Sequence, residues 1–275
     1  MKKEHRLLSF FFVSLIGLST VAAILFVVIN RTKIEQLIVN TASCAEHVTD
    51  ASSVKAPRIL FVGNSLTFFF LSPNTVSKFA ESLTNERPQV SQRMAPGFSL
   101  EDHYKMGRYQ KLLKEQKFDY VVLQEQFQRS LNETSLAIDY GQKMATIARQ
   151  AGAKVFLFEV WAARNQVVTQ EKLATNSALV ASKIGAPLIR VGDAFFRMAA
   201  THPEIDLYDL DNHHPSKYGS YLTSCMLFRS LYKRPSIGAP NQIDYDFGPL
   251  KVPVFVVTPD EATKLQECAD SISFQ

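Results

Sequence analysis

The sequence predicts an α/β fold built on a central, mainly parallel sheet of five strands. Three observations lead there. Short apolar runs recur along residues 57–275, each bounded by proline, glycine or polar residues. Segments of helical periodicity separate them, supplying the crossover that each parallel pair requires. The region is also long enough to bury one substantial core.

The first strand is Arg58–Val62, closed by Gly63 and rich in Ile, Leu, Phe and Val. Ser72 is placed to cap a helix running to Thr84, and a second strand follows at Val90–Met94. Ser99 and Asp102 have the spacing of a capping box opening the next helix. Tyr120–Leu123 is the third strand. Leu136, Tyr140, Met144, Ile147 and Ala151 then form one helical stripe that stops at Gly152. Lys154–Val160 and Pro187–Val191 read as the fourth and fifth strands, separated by a helix over Gln170–Ile184, and Ser216–Leu231 is the next helix. Beyond Pro235 the pattern is irregular until Val254–Val257, after which Thr258, Pro259 and Glu261 combine an N-cap, a first-turn proline and a reciprocating glutamate.

Two stretches carry chemistry. Gly63-Asn64-Ser65 puts a hydroxyl at the carboxyl end of the first strand, the side on which open α/β sheets bind ligands. A serine hydroxyl is a weak nucleophile and needs a base within hydrogen-bond reach, itself oriented by a third group. Asp211 and His214 lie three residues apart, and Pro215 keeps His214 out of helical geometry, so the imidazole sits on a turn just before a helix. Alone, each stretch is ordinary turn chemistry; together they favour a Ser65–His214–Asp211 triad.

Gly63-Asn64-Ser65-Leu66-Thr67 and Asp211-x-x-His214-Pro215 together resemble the SGNH, or GDSL-type, hydrolases, with Asn64 where aspartate is commoner. The resemblance spans roughly residues 57–238. It implies a three-layer α/β/α sandwich of flavodoxin-like type and an esterase with Ser65 as nucleophile, His214 as base and Asp211 as its orienting group. It also implies that Gly97, in Ala95-Pro96-Gly97-Phe98-Ser99, offers its N–H to the developing oxyanion. The family's third block, Gly-x-Asn-Asp, is replaced by Gln124-Glu125-Gln126-Phe127-Gln128, so Gln124 or Gln126 would supply the remaining amide from a stem one methylene longer. A bacterial subgroup with Leu-Gln-Glu-Gln at this point and a run similar to His214–Leu222 gives the nearest pattern. The substrate class implied is a small-molecule or glycan ester, possible O-acetyl groups on carbohydrate included. Two other readings share the motifs: an O-acyltransferase passing the acyl group to a glycan, and a non-catalytic glycan-binding module.

Residues 1–6 are short and basic, and 7–30 are uncharged and largely apolar, enough to span a bilayer core of about 30 Å. They predict a cytoplasmic N-terminus, one transmembrane helix as membrane anchor, a linker over 31–56 and a catalytic domain over 57–275 outside the cytoplasm, or a secreted domain if the segment is cleaved. The net charge is +4 with no long basic run, so no nucleic-acid partner is implied. No HxxxH or CxxC spacing suggests a metal, and no cofactor is expected. Of three cysteines, Cys225 and Cys268 could pair between late helices. His213 is expected to face solvent beside the working histidine. Glu159-Val160-Trp161 reads equally well as pocket lining or as core.

Overall fold

The computed structural model describes residues 56–247 and 250–274. The expected anchor at 7–30 and nearly all of the linker lie outside them, and among the described residues no helix is long and apolar enough to cross a membrane.

Five parallel strands, β1 (Arg58–Gly63), β2 (Gln89–Met94), β3 (Tyr120–Gln124), β4 (Lys154–Phe158) and β5 (Leu188–Ile189), form one sheet in the order β2-β1-β3-β4-β5. Alternate side chains of a strand leave opposite faces. Ile59, Phe61, Val122 and Phe156 enter one apolar cluster, while Leu60, Val62, Val121 and Val155 enter the other. Both faces are covered, which is why these strands are apolar throughout rather than alternating.

On the first face lie α2 (Ser72–Thr84), α8 (Val191–Thr201), α9 (Lys217–Tyr232) and α10 (Pro259–Ser271). On the second lie α3 (Leu100–Met106), α4 (Arg108–Glu115), α6 (Thr134–Gln150) and α7 (Gln170–Ile184). The result is a three-layer α/β/α sandwich. Two short helices, α1 (Ser65–Phe68) and α5 (Phe127–Asn132), follow the carboxyl ends of β1 and β3.

The structure departs from several expectations. β4 stops at Phe158, after which Glu159–Ala163 leaves the sheet, and β5 is only two residues long. Ser72 is the first residue of α2 rather than its cap, and its hydroxyl donates to the Phe69 carbonyl, 3.1 Å away. The buried stripe of α6 is Ala137, Gly141, Met144, Ala145 and Ala148, so the period holds but the face is rotated. Its small side chains admit α7 closely: a Cβ on Gly141 would lie 3.2 Å from Ile184 Cγ2. Helix α8 has no predicted counterpart. The tail expected to be irregular contains an antiparallel hairpin, β6 (Gln242–Phe247) with β7 (Leu250–Val256). Cys225 and Cys268 are both free and buried, and no disulfide joins them.

Candidate active site

The nucleophile turn is held from behind by polar groups sunk in the core. Asn64 is 2 % exposed, and its side-chain oxygen accepts the Leu66 N–H at 3.1 Å, capping α1. Its Nδ2 donates to the Phe98 carbonyl at 2.9 Å, tying the Gly97 loop to the turn. Gln124, fully buried at the end of β3, accepts the Asn64 N–H at 2.8 Å and the Thr67 hydroxyl at 3.0 Å. His103, buried on α3, donates from Nε2 to the Gly63 carbonyl at 2.8 Å; burial lowers its pKa. No side chain fits at position 63, since a Cβ there would lie 2.4 Å from Gln124 Oε1.

Beyond α1 the chain reverses sharply. Phe70 and Leu71 take φ of 48° and 53°, the left-handed region that costs residues with a Cβ about 1 kcal/mol or more each. This turn presents the Phe69 ring, which stacks on His214 with centroids 4.3 Å apart and planes 14° from parallel.

His214 lies on a surface loop closed by backbone bonds, Asp209 N–H to the His214 carbonyl at 2.8 Å and Asn212 N–H to the Asp209 carbonyl at 2.9 Å. Ser216 then caps α9, so the histidine precedes a helix directly. The segment that leaves β4 props the loop. Trp161, fully buried and stacked on Phe195 at 4.1 Å, donates its indole N–H to the His213 carbonyl at 3.1 Å. The Tyr208 hydroxyl donates to the Ala162 carbonyl at 2.9 Å. Trp161 is therefore core and loop support rather than pocket lining.

Ser65 and the histidine loop, 149 residues apart in sequence, meet: the hydroxyl donates to His214 Nε2 at 2.8 Å. Asp211 Oδ2 accepts from His214 Nδ1 at 2.5 Å, while Oδ1 accepts the His213 and His214 N–H groups, each at 2.9 Å. Partial burial would raise the Asp211 pKa, but the imidazole and the two N–H donors outweigh it and hold the carboxyl at about 2. An ionised Asp211 can only accept, so the proton sits on Nδ1 and Nε2 is left with a lone pair for the serine hydroxyl. This is the arrangement by which a serine is activated for attack on a carbonyl.

The two glutamines part company. Gln124 is turned to the nucleophile turn, its Oε1 accepting from Asn64 and Thr67 while its Nε2 donates to the Glu125 carbonyl. Gln126 is half-buried at the start of α5, and its Oε1 accepts the Arg129 N–H at 2.9 Å, which leaves the amide NH₂ as the group able to donate to a ligand. Gly97 lies in a left-handed turn (φ 71°) in the loop after β2, with open space on the side where a Cβ would stand. The loops bearing Gly97 and Gln126 follow β2 and β3, the two strands that flank β1. His213 does not face solvent freely: its ring packs edge-on to Phe127 at 5.2 Å and to His214 at 5.4 Å, and burial lowers its pKa. Nothing in the sequence pointed to Phe69, and Asn64 was named only as part of the turn motif. The unusual glutamine after the third strand was the one signal pointing to Gln124's role.

No protein-family model matches the chain, and no curated protein does. Solved structures do. A candidate SGNH hydrolase from Slackia heliotrinireducens is 26 % identical and covers 64 % of this chain and 100 % of its own, with a TM-score of 0.57. A DUF4886 family protein from Bacteroides uniformis is 17 % identical over 78 % of this chain and 93 % of its own, TM-score 0.64. An acetyl xylan esterase from Geobacillus stearothermophilus is 14 % identical over 66 % of this chain and 95 % of its own, TM-score 0.51. The latter two establish the fold alone. A parallel α/β/α sandwich of flavodoxin-like strand order, with a serine just past the end of β1, defines the class as a serine hydrolase on a flavodoxin-like sheet. Within that class the structure is similar to the SGNH hydrolases, the superfamily that the motifs of the sequence resemble.

Proposed function

We propose that the protein is a serine esterase that hydrolyses carboxylic esters through Ser65, His214 and Asp211. The observation that carries this reading is the 2.8 Å hydrogen bond from the Ser65 hydroxyl to His214 Nε2, completed by Asp211 on the far side of the ring. As Ser65 Oγ attacks the acyl carbon, its proton passes to Nε2, and Asp211 stabilises the imidazolium. The oxyanion is taken up by the Ser65 and Gly97 N–H groups and the Gln126 side-chain amide. The Ser65 N–H begins α1 and so has no partner within that helix. The imidazolium then protonates the departing alcohol, and water, deprotonated by His214, releases the acid and restores Ser65.

The substrate we propose is an O-acylated carbohydrate or a comparable small ester, a reading supported by the acetyl xylan esterase among the structural neighbours. We also propose that residues 7–30 anchor the domain to a membrane with the catalytic domain outside the cytoplasm, a reading supported by the length and apolarity of that segment. Ser65→Ala tests the mechanism. Hydrolysis of p-nitrophenyl acetate and labelling by a fluorophosphonate both disappear while the thermal midpoint is unchanged; turnover retained in this variant would remove the serine from the reaction.

A further inference from the structure

Three loops must converge for an oxyanion to be held: the Ser65 turn, the Gly97 loop and the Gln126 loop. Two links of this triangle are described above, Asn64 to Phe98 and Gln124 to Asn64. The third is a carboxyl group. Glu125 is 4 % exposed, and its Oε1 accepts two backbone N–H groups, that of Gln126 at 2.6 Å and that of Leu100 at 3.2 Å. Leu100 lies three residues after Gly97, and the Gln126 backbone carries the amide assigned to the oxyanion. One oxygen atom therefore fixes the separation of both donor-bearing loops. Its neighbour Oε2 is buried and has no hydrogen-bond partner among the described residues.

We propose that Glu125 is a positioning residue for the oxyanion site, a buried clamp that holds the Gly97 and Gln126 loops in register beside Ser65. The inference rests on the esterase reading given above. Hydrogen bonds to an ionised acceptor are roughly twice as strong as neutral ones, so the clamp is tight when Glu125 is charged and slack when it is protonated. Burial raises its carboxyl to about 7, only partly offset by the two N–H bonds and by Arg129. The charged groups facing it are Arg129 on α5 and Asp102 on α3, and Arg129 is itself paired with Glu101 at 2.8 Å. The charge of the clamp thus changes near neutral pH.

Glu125→Gln keeps the shape and removes the titration. With p-nitrophenyl acetate we expect kcat to fall about 10–100-fold at pH 8 with KM within about twofold of the wild-type value, because an interaction made mainly in the transition state is weakened. The ratio of wild-type to E125Q kcat should rise as the pH is raised through about 7, where Glu125 gains its charge. A ratio independent of pH, an unchanged kcat, or a loss expressed in KM alone would each overturn the proposal. A second measurement is independent of turnover: in the Ser65→Ala background, the backbone N–H resonances of Leu100 and Gln126 should titrate together near neutral pH and cease to do so once E125Q is added. If no ester is turned over by the wild type, the esterase reading fails, and this NMR experiment alone decides the clamp; independent or absent titration of the two resonances refutes it.

Discussion

Gly63–Leu66 rests on the core, with Asn64 2 % exposed and bonded to Gln124 and Gly63 bonded to His103, whereas Asp209–His214 runs over the surface, with Leu210 93 % exposed. The serine is fixed by polar side chains reaching up from beneath the sheet edge. The histidine is fixed by its own loop's backbone bonds, by Trp161 under its neighbour and by the Phe69 ring above it. Packed interiors transmit small changes in volume, while exposed loops absorb them. Damage behind the serine should therefore cost stability and activity together, and damage around the histidine should cost activity alone.

The sharpest break in that contrast is His214→Ala. Loss of a triad base costs at least about 10³-fold in kcat, while the thermal midpoint should move by no more than a few degrees. A large fall in the midpoint would show that the loop is as integral to the fold as the serine turn. Next is Gly63→Ala, which forces a Cβ to 2.4 Å from Gln124 Oε1 and 2.9 Å from its Cβ. Overpacking of this kind costs about 1–3 kcal/mol, or roughly 2–12 °C in midpoint for a domain of this size, and activity should fall with it. An unchanged melting curve would mean that Gln124 swings aside freely and braces nothing. Phe69→Ala removes the ring stacked on His214, an interaction worth about 0.5–1.5 kcal/mol. A loss of about 2–10-fold in kcat with little change in midpoint is expected, measured on the same ester.

The smallest effect concerns pH. Glu159, fully buried beside Gln170 and the start of α8, has its carboxyl pushed up to about 8 by burial, with Asp193 adding to the effect. A folded-state value above the unfolded one means that the native protein keeps a proton the unfolded chain releases. The corresponding stability is present below about pH 4.5 and drains away as the pH rises towards 8. Melting curves at pH 5 and pH 8 should differ in the wild type, and Glu159→Gln should narrow the difference; an equal gap in both would place the titration elsewhere.

Much of the scaffold was legible from local pattern. The turn Gly63-Asn64-Ser65, the caps at Ser99 and Thr258 and the helix Gln170–Ile184 depend on neighbouring residues, and each is where the sequence puts it. The misreadings share a cause. Gly141 and the alanines of α6 are poor hydrophobes, so the stripe was assigned to the larger Leu136 and Tyr140, yet small residues face inward where α7 presses close. Trp161 and Gln124 were ambiguous because their partners, the His213 carbonyl and the Asn64 N–H, lie 52 and 60 residues away.

By itself the sequence determined that strands alternate with helices, that a serine ends the first strand, and that an aspartate and a histidine share a turn before a late helix, since short-range hydrogen bonds and apolar period settle such features. Only the tertiary structure decided that Ser65 meets His214, that Gln124 bonds the nucleophile turn, and that Glu125 links two loops. Those outcomes depend on the order in which strands line up in the sheet, and β1 lies between β2 and β3 because of packing over the whole core, which no local window of residues contains.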